Sequence, residues 1–260
     1  MSSGTPNFDD LSNDCLALII SLTSPLDACR SSLVSKSFNS AAGSDVLWDK
    51  FLPADYQNLV PASPSFSSLK SLYLSLCDHP VLIEDGKKSF SLDKRSGKKC
   101  YTLASRNLAI AWGDTPHYWR WISIRDSRFP KVAELLFVCW FEITGRIDSC
   151  NLSLMTRNNA FLVFKLVANA EGFENKPIEA TLRLGGTQVS KRILYVMDSG
   201  DVVVQNGDQY PKVRGDGWFE VALGEFFNGG ELEELEIHSF SFDGYSVGGL
   251  CVQGIDIKPC

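Results

Sequence analysis

Four strings in this sequence hold residue types that can make or break bonds. Gly244-Tyr245-Ser246-Val247-Gly248 has the Gly-x-Ser-x-Gly spacing of a nucleophile elbow, where a sharp strand-to-helix turn exposes a serine hydroxyl for attack. Such a serine needs an Asp and then a His downstream, and only twelve residues follow Gly248, none of them His. The string therefore reads as a glycine-rich turn between two strands. Ser96-Gly97-Lys98-Lys99 has the lysine of a phosphate-cradling loop but lacks the glycine five positions before Gly97, so nucleotide binding has no support. His117 stands near Asp114 and is of the residue type that most often serves as a general base, yet no partner nucleophile is identifiable and a surface or turn position is expected. Asn151-Leu152-Ser153 fits the glycosylation acceptor pattern, which needs a secretory route. The eight cysteines, at 15, 29, 77, 100, 139, 150, 251 and 260, form no Cys-x-x-Cys pair. None of the three His lies near a Cys pair, so the sequence points to reduced, mostly buried thiols with no metal and no cofactor. An enzyme is the weakest class of function, for want of an acid–base pair or a nucleophile arrangement.

The elements that carry these residues belong to an ordinary soluble chain. Its 260 residues suit one large domain or two smaller ones, and 44% hydrophobic with 22% charged residues excludes wholesale disorder. Twenty-five Lys and Arg against thirty-one Asp and Glu give a net charge of -6, which argues against nucleic acid or an anionic membrane as a partner through a general field. The longest unbroken apolar run, Leu135 to Phe141, is far short of the roughly 18 to 20 residues of a membrane-spanning helix. The start MSSGTPNFDD is acidic where a secretory signal is basic, so cytoplasm or nucleus is the expected location.

The hydrophobic period changes near residue 80. Leu16, Ile19, Ile20 and Thr23 fall at i, i+3, i+4 and i+7, and Ser24-Pro25 supplies a capping hydroxyl followed by proline at a first helical position. The second helix should bury Leu26, Cys29 and Leu33, a third run through Phe38 to Gly43, and a fourth present Leu47, Trp48 and Phe51 after Ser44. Pro61, Ser63 and Pro64 break the chain before Phe66, Leu69, Tyr73 and Leu76 restart a helical stripe. After residue 80 the alternation is that of strands: Val81 to Glu84 and Lys87 to Leu92 flank Asp85-Gly86, the dipeptide of a tight hairpin turn. Strands are also expected along Leu162, Phe164, Leu166 and Ala168, along Ile178, Ala180, Leu182 and Leu184, and along Phe219, Val221 and Leu223. Further candidates lie at 137–143, 192–197, 233–240 and 250–257. This spacing fits an antiparallel sandwich better than a βαβ array. Residues 87–106 hold seven Lys or Arg against one Asp, and 215–257 hold no Lys or Arg at all, which reads as a solvated hairpin and an acidic loop.

Two regions carry specific resemblances. Leu11 to Trp48, with LSNDCLALIISLTSPLDACRSSLVSKSFNSAA, resembles an F-box in its Leu-x-x-Asp start, Ile19 and Leu22, its Ser-Pro break, Val34-Ser35-Lys36 and the aromatic Phe38. The start reads Leu11-Ser12 where the family has Leu-Pro. An F-box is a small helical bundle whose exposed apolar rim docks on the Skp adaptor of a cullin-RING ubiquitin ligase. The resemblance thus implies partner contacts by Leu11, Ile19, Leu22, Val34, Ser35 and Phe38. The physics agrees, because about 40 residues of helix cannot bury all their Leu, Ile and Val internally.

From Cys100 onward, NLAIAWGDTPHYWRWISIRDSRFPKVAELLFVCWFEITGRI, FLVFKLV, DGWFEVALGEFFN and the closing GIDIKP resemble the phloem protein 2 domain, the Nictaba-like lectin domain of plants. An F-box followed by that domain is the layout of plant F-box proteins of the phloem protein 2 B type. LIEDGKKSFSLDKRSGKKCYTLASRNL, ahead of the domain, is similar to that group as well. In lectin members, two Trp seven residues apart bear on carbohydrate binding, and the matching positions here are Trp112 and Trp119. An indole stacks well on the apolar face of a pyranose, and Asp114 could orient hydroxyls. Trp112 and Trp119 are therefore expected to face a shallow sugar site beside the Gly113 to Tyr118 loop, with Trp121 and Trp140 in the core.

The expected fold is α+β: an F-box helical bundle over 8–52, a connector with a helix and a β-hairpin over 53–99, and a jelly-roll-like antiparallel β-sandwich lectin domain over 100–260. The resemblances imply a non-catalytic receptor that binds the Skp adaptor, and through it a cullin-RING ligase. Its other end would hold a glycoprotein bearing N-acetylglucosamine-containing or high-mannose N-glycans. Two other readings stay open, a lectin acting without a ligase and an F-box receptor whose sandwich binds polypeptide instead of glycan.

Overall fold

A computed structural model of the chain describes residues 11–60, 66–174, 176–197, 210–241 and 246–260. The Pro61–Pro64 break, the first two residues of the Gly-x-Ser-x-Gly string and the start of the 8–52 module lie outside these. Two compact units emerge. One runs to Val81 and takes in Phe90–Lys99; the other comprises Leu82–Ser89 and Cys100–Cys260.

The first unit is built from α1 (Asn13–Ser21), α2 (Pro25–Ser31), α3 (Lys36–Ala42), α4 (Asp45–Phe51), α5 (Tyr56–Leu59) and α6 (Leu69–Asp78). Serine starts five of the six: the hydroxyls of Ser12, Ser24, Ser35, Ser44 and Ser68 each accept a backbone N–H from the first turn that would otherwise lack a partner. Helices this short draw their stability from packing. Leu16, Ala17 and Ile20 of α1, Ala28 of α2, Ala41 and Ala42 of α3, and Leu47 and Trp48 of α4 are buried together with Leu72, Tyr73 and Leu76 of α6. Trp48 donates its indole N–H to the Ala42 carbonyl at 2.8 Å and its ring meets that of Tyr73 at 5.0 Å. Tyr73 in turn donates to the Asp93 carbonyl at 3.1 Å, and Lys99 pairs with Asp55 at 2.8 Å. Residues 90–99 and α6, expected to form a connector, thus belong to the helical unit's own packing. The Ser96-Gly97 string is a turn held by Asp93, whose carboxylate accepts from Ser96 N at 2.8 Å.

The helical periodicity overreached at the end of α2. Cys29 and Leu33, expected to be buried, are exposed, Leu33 to 86%. The helix ends at Ser31, so Leu33 is outside the period that placed it inside, and Ala28, small enough for close approach, is the residue turned inward.

The second unit is the sandwich. In chain order its strands are β1 (Val81–Ile83), β2 (Lys88–Leu92), β3 (Lys99–Ala104), β4 (Ala109–Ile110), β5 (Trp119–Ile122), β6 (Val132–Leu135) and β7 (Phe141–Asp148). There follow β8 (Thr156–Glu171), β9 (Ile178–Leu184), β10 (Thr187–Leu194), β11 (Lys212–Val213), β12 (Phe219–Asn228), β13 (Glu234–Ser241) and β14 (Gly248–Pro259). One sheet has the order β1-β2-β3-β14-β8-β12-β11, with β6 and then β5 branching from the other part of the long β14; the second has the order β10-β9-β13-β7-β4. The pairings β10–β9, β9–β13, β13–β7, β7–β4, β3–β14, β14–β6, β14–β8, β8–β12, β12–β11 and β5–β6 are all antiparallel. The Asp85-Gly86 hairpin forms as expected, with Asp85 and Gly86 both at positive φ. The two sheets approach closely at Gly145 on β7, where a Cβ would come to 3.0 Å from side-chain atoms of Leu103 on β3 and Ile255 on β14. No described helix is long and apolar enough to cross a membrane.

The expected 137–143 strand begins only at Phe141, and the 192–197 strand ends at Leu194. Residues 136–140 lie between β6 and β7, where Leu136, Phe137 and Trp140 are exposed while Val138 bridges Val247. Val247 follows Ser246 directly into β14, so no helix follows the serine and the elbow reading fails.

A buried ion cluster ties the β14 end of the sandwich together. Asp256 on β14 is 2% exposed and accepts from Thr102 Oγ1 at 2.6 Å and Arg214 at 2.6 Å, with Lys258 at 3.3 Å and Arg128 at 3.7 Å. Arg128 also donates to Thr102. Burial alone would raise the Asp256 pKa, but Lys258, Arg128, Arg214 and the Thr102 hydroxyl outweigh it and hold the carboxyl below its ordinary range. Removing one partner of such a cluster leaves the others buried without compensation. Asp256→Asn should therefore cost about 3 kcal/mol in urea unfolding at pH 7. Because the folded pKa is depressed, this stabilisation is complete above the unfolded-state value near 4 and is lost as pH falls through the folded value. The stability gap between wild type and Asp256→Asn should accordingly close on acidification; a gap that stays constant with pH would show that the charge contributes nothing.

Candidate functional site

The site assembles where β4 adds to the edge of β7. Ile110 pairs with Ile143, and the ladder continues one step further as Ala111 N donates to the Glu142 carbonyl at 3.0 Å. The chain then leaves the sheet through Trp112, whose φ is +60°. A bulky residue in the left-handed region is a true outlier and persists only where its surroundings fix it, at a cost of about 1 to 3 kcal/mol.

Those surroundings are two tryptophans of β5. Trp119 donates its indole N–H to the Ala111 carbonyl at 3.0 Å, and Trp121 donates to the Gly113 carbonyl at 3.1 Å. The two rings lie at i and i+2 and reach the same three-residue stretch, as side chains on one face of a strand do. The Arg106 guanidinium covers the Trp121 ring at 3.5 Å from its centroid. Within the turn, Gly113 N donates to Ile110 O at 3.0 Å and Thr115 N to Trp112 O at 2.8 Å.

Held this way, the Trp112 ring stands 59% exposed, beside a depression of roughly 370 Å³ lined by Ala111, Trp112, Trp140 and Glu142. Trp140 donates its indole N–H to Glu142 Oε2 at 2.7 Å, and His238 Nε2 lies 3.1 Å from Glu142 Oε1. The His238 ring stacks on Phe240 at 5.2 Å. The Trp140 indole N–H, and after it His238, hold the Glu142 carboxyl below its ordinary range against the opposing effect of burial. The wall is therefore two accessible indoles, and its one carboxylate is ionised and acceptor-only at neutral pH. Such a surface can stack on a flat apolar ring face while the carboxylate accepts hydrogen bonds from neighbouring hydroxyls.

This changes the roles expected of four residues. Trp112 is accessible as expected. Trp119 is not: it is 2% exposed, its ring packed 6.5 Å from that of Phe141, and it positions the loop rather than facing a ligand. Trp140, expected in the core, is exposed and lines the depression, because the apolar run that contains it is a loop at the sandwich's end. Trp121, also expected in the core, is half-buried under Arg106. Asp114 and His117 are both exposed on the turn, outside the residues that line the depression. Glu142 and His238 were missed; they are 96 positions apart in sequence and meet through the pairing of β7 with β13.

In the helical unit, Leu11, Ile19, Leu22 and Val34 are exposed, and Leu18 and Leu33 join them. Ser35 and Phe38 are half-buried, and the Ser35 hydroxyl accepts the Phe38 backbone N–H at 3.3 Å as the cap of α3. All eight cysteines are free thiols, and burial pushes those of Cys77 and Cys251 up to about 11, which keeps them protonated at neutral pH. Five of the eight are exposed, against the expectation that most would be buried. Among the described residues no group of three or more His, Cys, Asp or Glu could hold a metal ion.

Comparison with known proteins matches the F-box domain family over residues 8–50 and the phloem protein 2 family over residues 98–259. "F-box protein At2g02240" of Arabidopsis thaliana is 48% identical over 263 residues, covering 100% of this chain and 82% of that protein. "F-box protein PP2-B10" of the same plant is 47% identical, covering 100% of this chain and 96% of that protein. With both domains matched in this order and full-length relatives at this identity, the chain belongs to the F-box proteins of the phloem protein 2 family.

Proposed function

We propose that this protein is the substrate receptor of a Skp–cullin–F-box ubiquitin ligase. Its helical unit docks on the Skp adaptor, and its sandwich holds a glycoprotein through an N-glycan rich in N-acetylglucosamine or mannose. The chain makes no covalent bond itself; ubiquitin transfer belongs to other subunits, in the cytoplasm or nucleus where such ligases assemble. The observation that carries the ligand half of the reading is the depression formed by Trp112, Trp140 and Glu142. Two indoles with a carboxylate between them suit a pyranose better than they suit an extended peptide, which would need backbone hydrogen-bond partners. The adaptor half is supported by the uncovered apolar residues of α1 and of the α2–α3 connection, since a folded domain seldom leaves that many large aliphatics together in water without a partner.

Two sets of variants test the halves separately. Leu22 is 87% and Val34 70% exposed, so replacing both with Ala should leave folding intact. Each truncated interface anchor costs about 2 kcal/mol, or roughly 30-fold in affinity, so the double variant should fail to co-purify with the adaptor. Retention of the adaptor by that variant would place the contact elsewhere.

For the sugar site, a monosaccharide should bind near a millimolar Kd, about 4 kcal/mol, with useful affinity coming from oligosaccharides. Trp140→Leu should lower glycan-array binding at least tenfold and change stability by less than about 1 kcal/mol, as exposed positions do. Trp119→Leu should also abolish binding, but by releasing the loop, and should cost about 3 kcal/mol of folding free energy as a core truncation. Thermal unfolding of both variants, read beside glycan binding, decides the assignment. If Trp140→Leu binds as wild type does, the depression is not the sugar site.

A further inference from the structure

The far end of the sandwich holds a second surface that neither the adaptor nor the glycan reading uses. It is formed by the loop 149–155 and the turn 228–233, which are laced together. Ser149 N donates to Glu233 O at 2.8 Å, Ser149 Oγ to Glu231 O at 2.6 Å, and Asn228 Nδ2 to the carbonyls of Ser149 and Ser153 at 3.0 and 3.1 Å. A rigid base of this kind normally lets apolar side chains fold inward. Here they point out: Leu232 is 86%, Met155 71%, Leu154 59% and Phe227 47% exposed. A pocket of roughly 170 Å³ opens beside Leu232, lined also by Asp148, Ser149, Cys150, Glu233 and Glu234.

The carboxylates around this patch, Asp148, Glu231, Glu233 and Glu234, outnumber the cations beside it. Elsewhere the acidic stretch 215–257 is matched: Glu220 with Lys258 at 2.8 Å, Glu225 with Arg192 at 3.0 Å, Glu236 with Arg146 at 2.6 Å. Glu234 reaches Arg146 at 3.5 Å. Asp148, Glu231 and Glu233, by contrast, have no ion-pair partner among the described residues. A second cation beside the patch, Arg157 opposite Phe227, lies 3.9 Å from Glu225. Exposed aliphatic and aromatic groups on one laced pair of loops, with unmatched carboxylates and a side-chain-sized pocket beside Leu232, complement one kind of occupant. It must bring a cation on an apolar stem, flanked by apolar residues.

We infer that this end of the sandwich docks a polypeptide segment in which Lys or Arg is flanked by Leu, Phe or similar residues, the cation entering between Asp148 and Glu233 and the flanking side chains covering Leu232, Leu154 and Met155. A target would then be held at two points, by its glycan and by its own chain. Asp148 ends β7, the strand whose other end carries Glu142 beside Trp112, and the patch shares no residue with the F-box rim, so this inference can be right or wrong independently of those two readings.

The full-length protein, incubated with an array of random dodecapeptides, tests this. Wild type should retain peptides enriched in Lys or Arg within two positions of an aliphatic or aromatic residue, and less so as salt rises. Leu232→Ser, and separately Asp148→Asn with Glu233→Gln, should each weaken the best-retained peptide at least tenfold. Trp112→Ala should leave peptide capture unchanged, and the patch variants should leave adaptor and glycan binding unchanged. Trp112, Asp148 and Leu232 are exposed and Glu233 is half-buried, and unfolding curves like that of wild type would confirm intact folding. Retention without a preference for cations, or retention that these variants do not alter, overturns the inference. So does a wild-type dimer in sedimentation that Leu232→Ser makes monomeric without any peptide capture, since the patch is then covered by a second copy.

Discussion

The hydrogen bond from the buried Trp119 indole to the Ala111 carbonyl is the contact on which the candidate site depends. Trp112 projects from a backbone conformation that costs free energy, and an isolated loop would relax out of it. The loop is instead pinned from several sides: by the ladder bond to Glu142 behind it, by Trp119 and Trp121 beneath it, and by the turn bonds ahead of it. A buried indole N–H must find an acceptor, so burying Trp119 in the sandwich and fixing the loop that carries Trp112 are one and the same requirement. Accessible Trp112 and inaccessible Trp119 are thus parts of a single device.

The two units solve opposite problems. The sandwich fills its interior with alternating side chains from both sheets and closes the β14 end with Asp256 and its cations. Most of the exposed aromatic and aliphatic groups it keeps, Trp112, Leu136, Phe137, Trp140, Leu154, Met155 and Leu232, lie in connections between strands. The helical unit has too little chain for that. It packs with alanines, one tryptophan and serine caps, and leaves Leu22, Leu33 and Val34 in water. Fully burying a side chain of that size is worth about 1.5 to 3 kcal/mol, so a partner that covers the rim gains several such terms at once. A module arranged like this is stable enough to fold and still has affinity to offer.

Much of this was legible in the sequence because it rests on local patterns. The Ser-Pro start of α2, the Asp85-Gly86 hairpin and the alternation through β9 and β12 are short-range signals, and the structure follows them. The errors fall where burial is set by distant partners. The run from Leu135 to Phe141 is uniformly apolar, so nothing in it distinguishes a core strand from a loop; pairing of Phe141 with Ser241 and of Val138 with Val247 makes the division. The spacing of Trp112 and Trp119 marks the loop beside the depression but cannot tell the residue that faces out from the one that holds it. Glu142 and His238 carry no local signal at all, since their meeting depends on the register between β7 and β13.

In the proposed role, the ligand held by the sandwich decides which third molecule the ligase modifies. The most direct measurement is ubiquitin transfer in a reconstituted complex of this chain with the Skp adaptor, cullin and RING subunits. The substrate would be one glycoprotein, offered with its N-glycans intact or enzymatically removed. The account predicts chains of ubiquitin on the glycosylated form and little or none on the stripped form, with free oligosaccharide competing. Equal modification of both forms, or none of either despite adaptor binding, would contradict it.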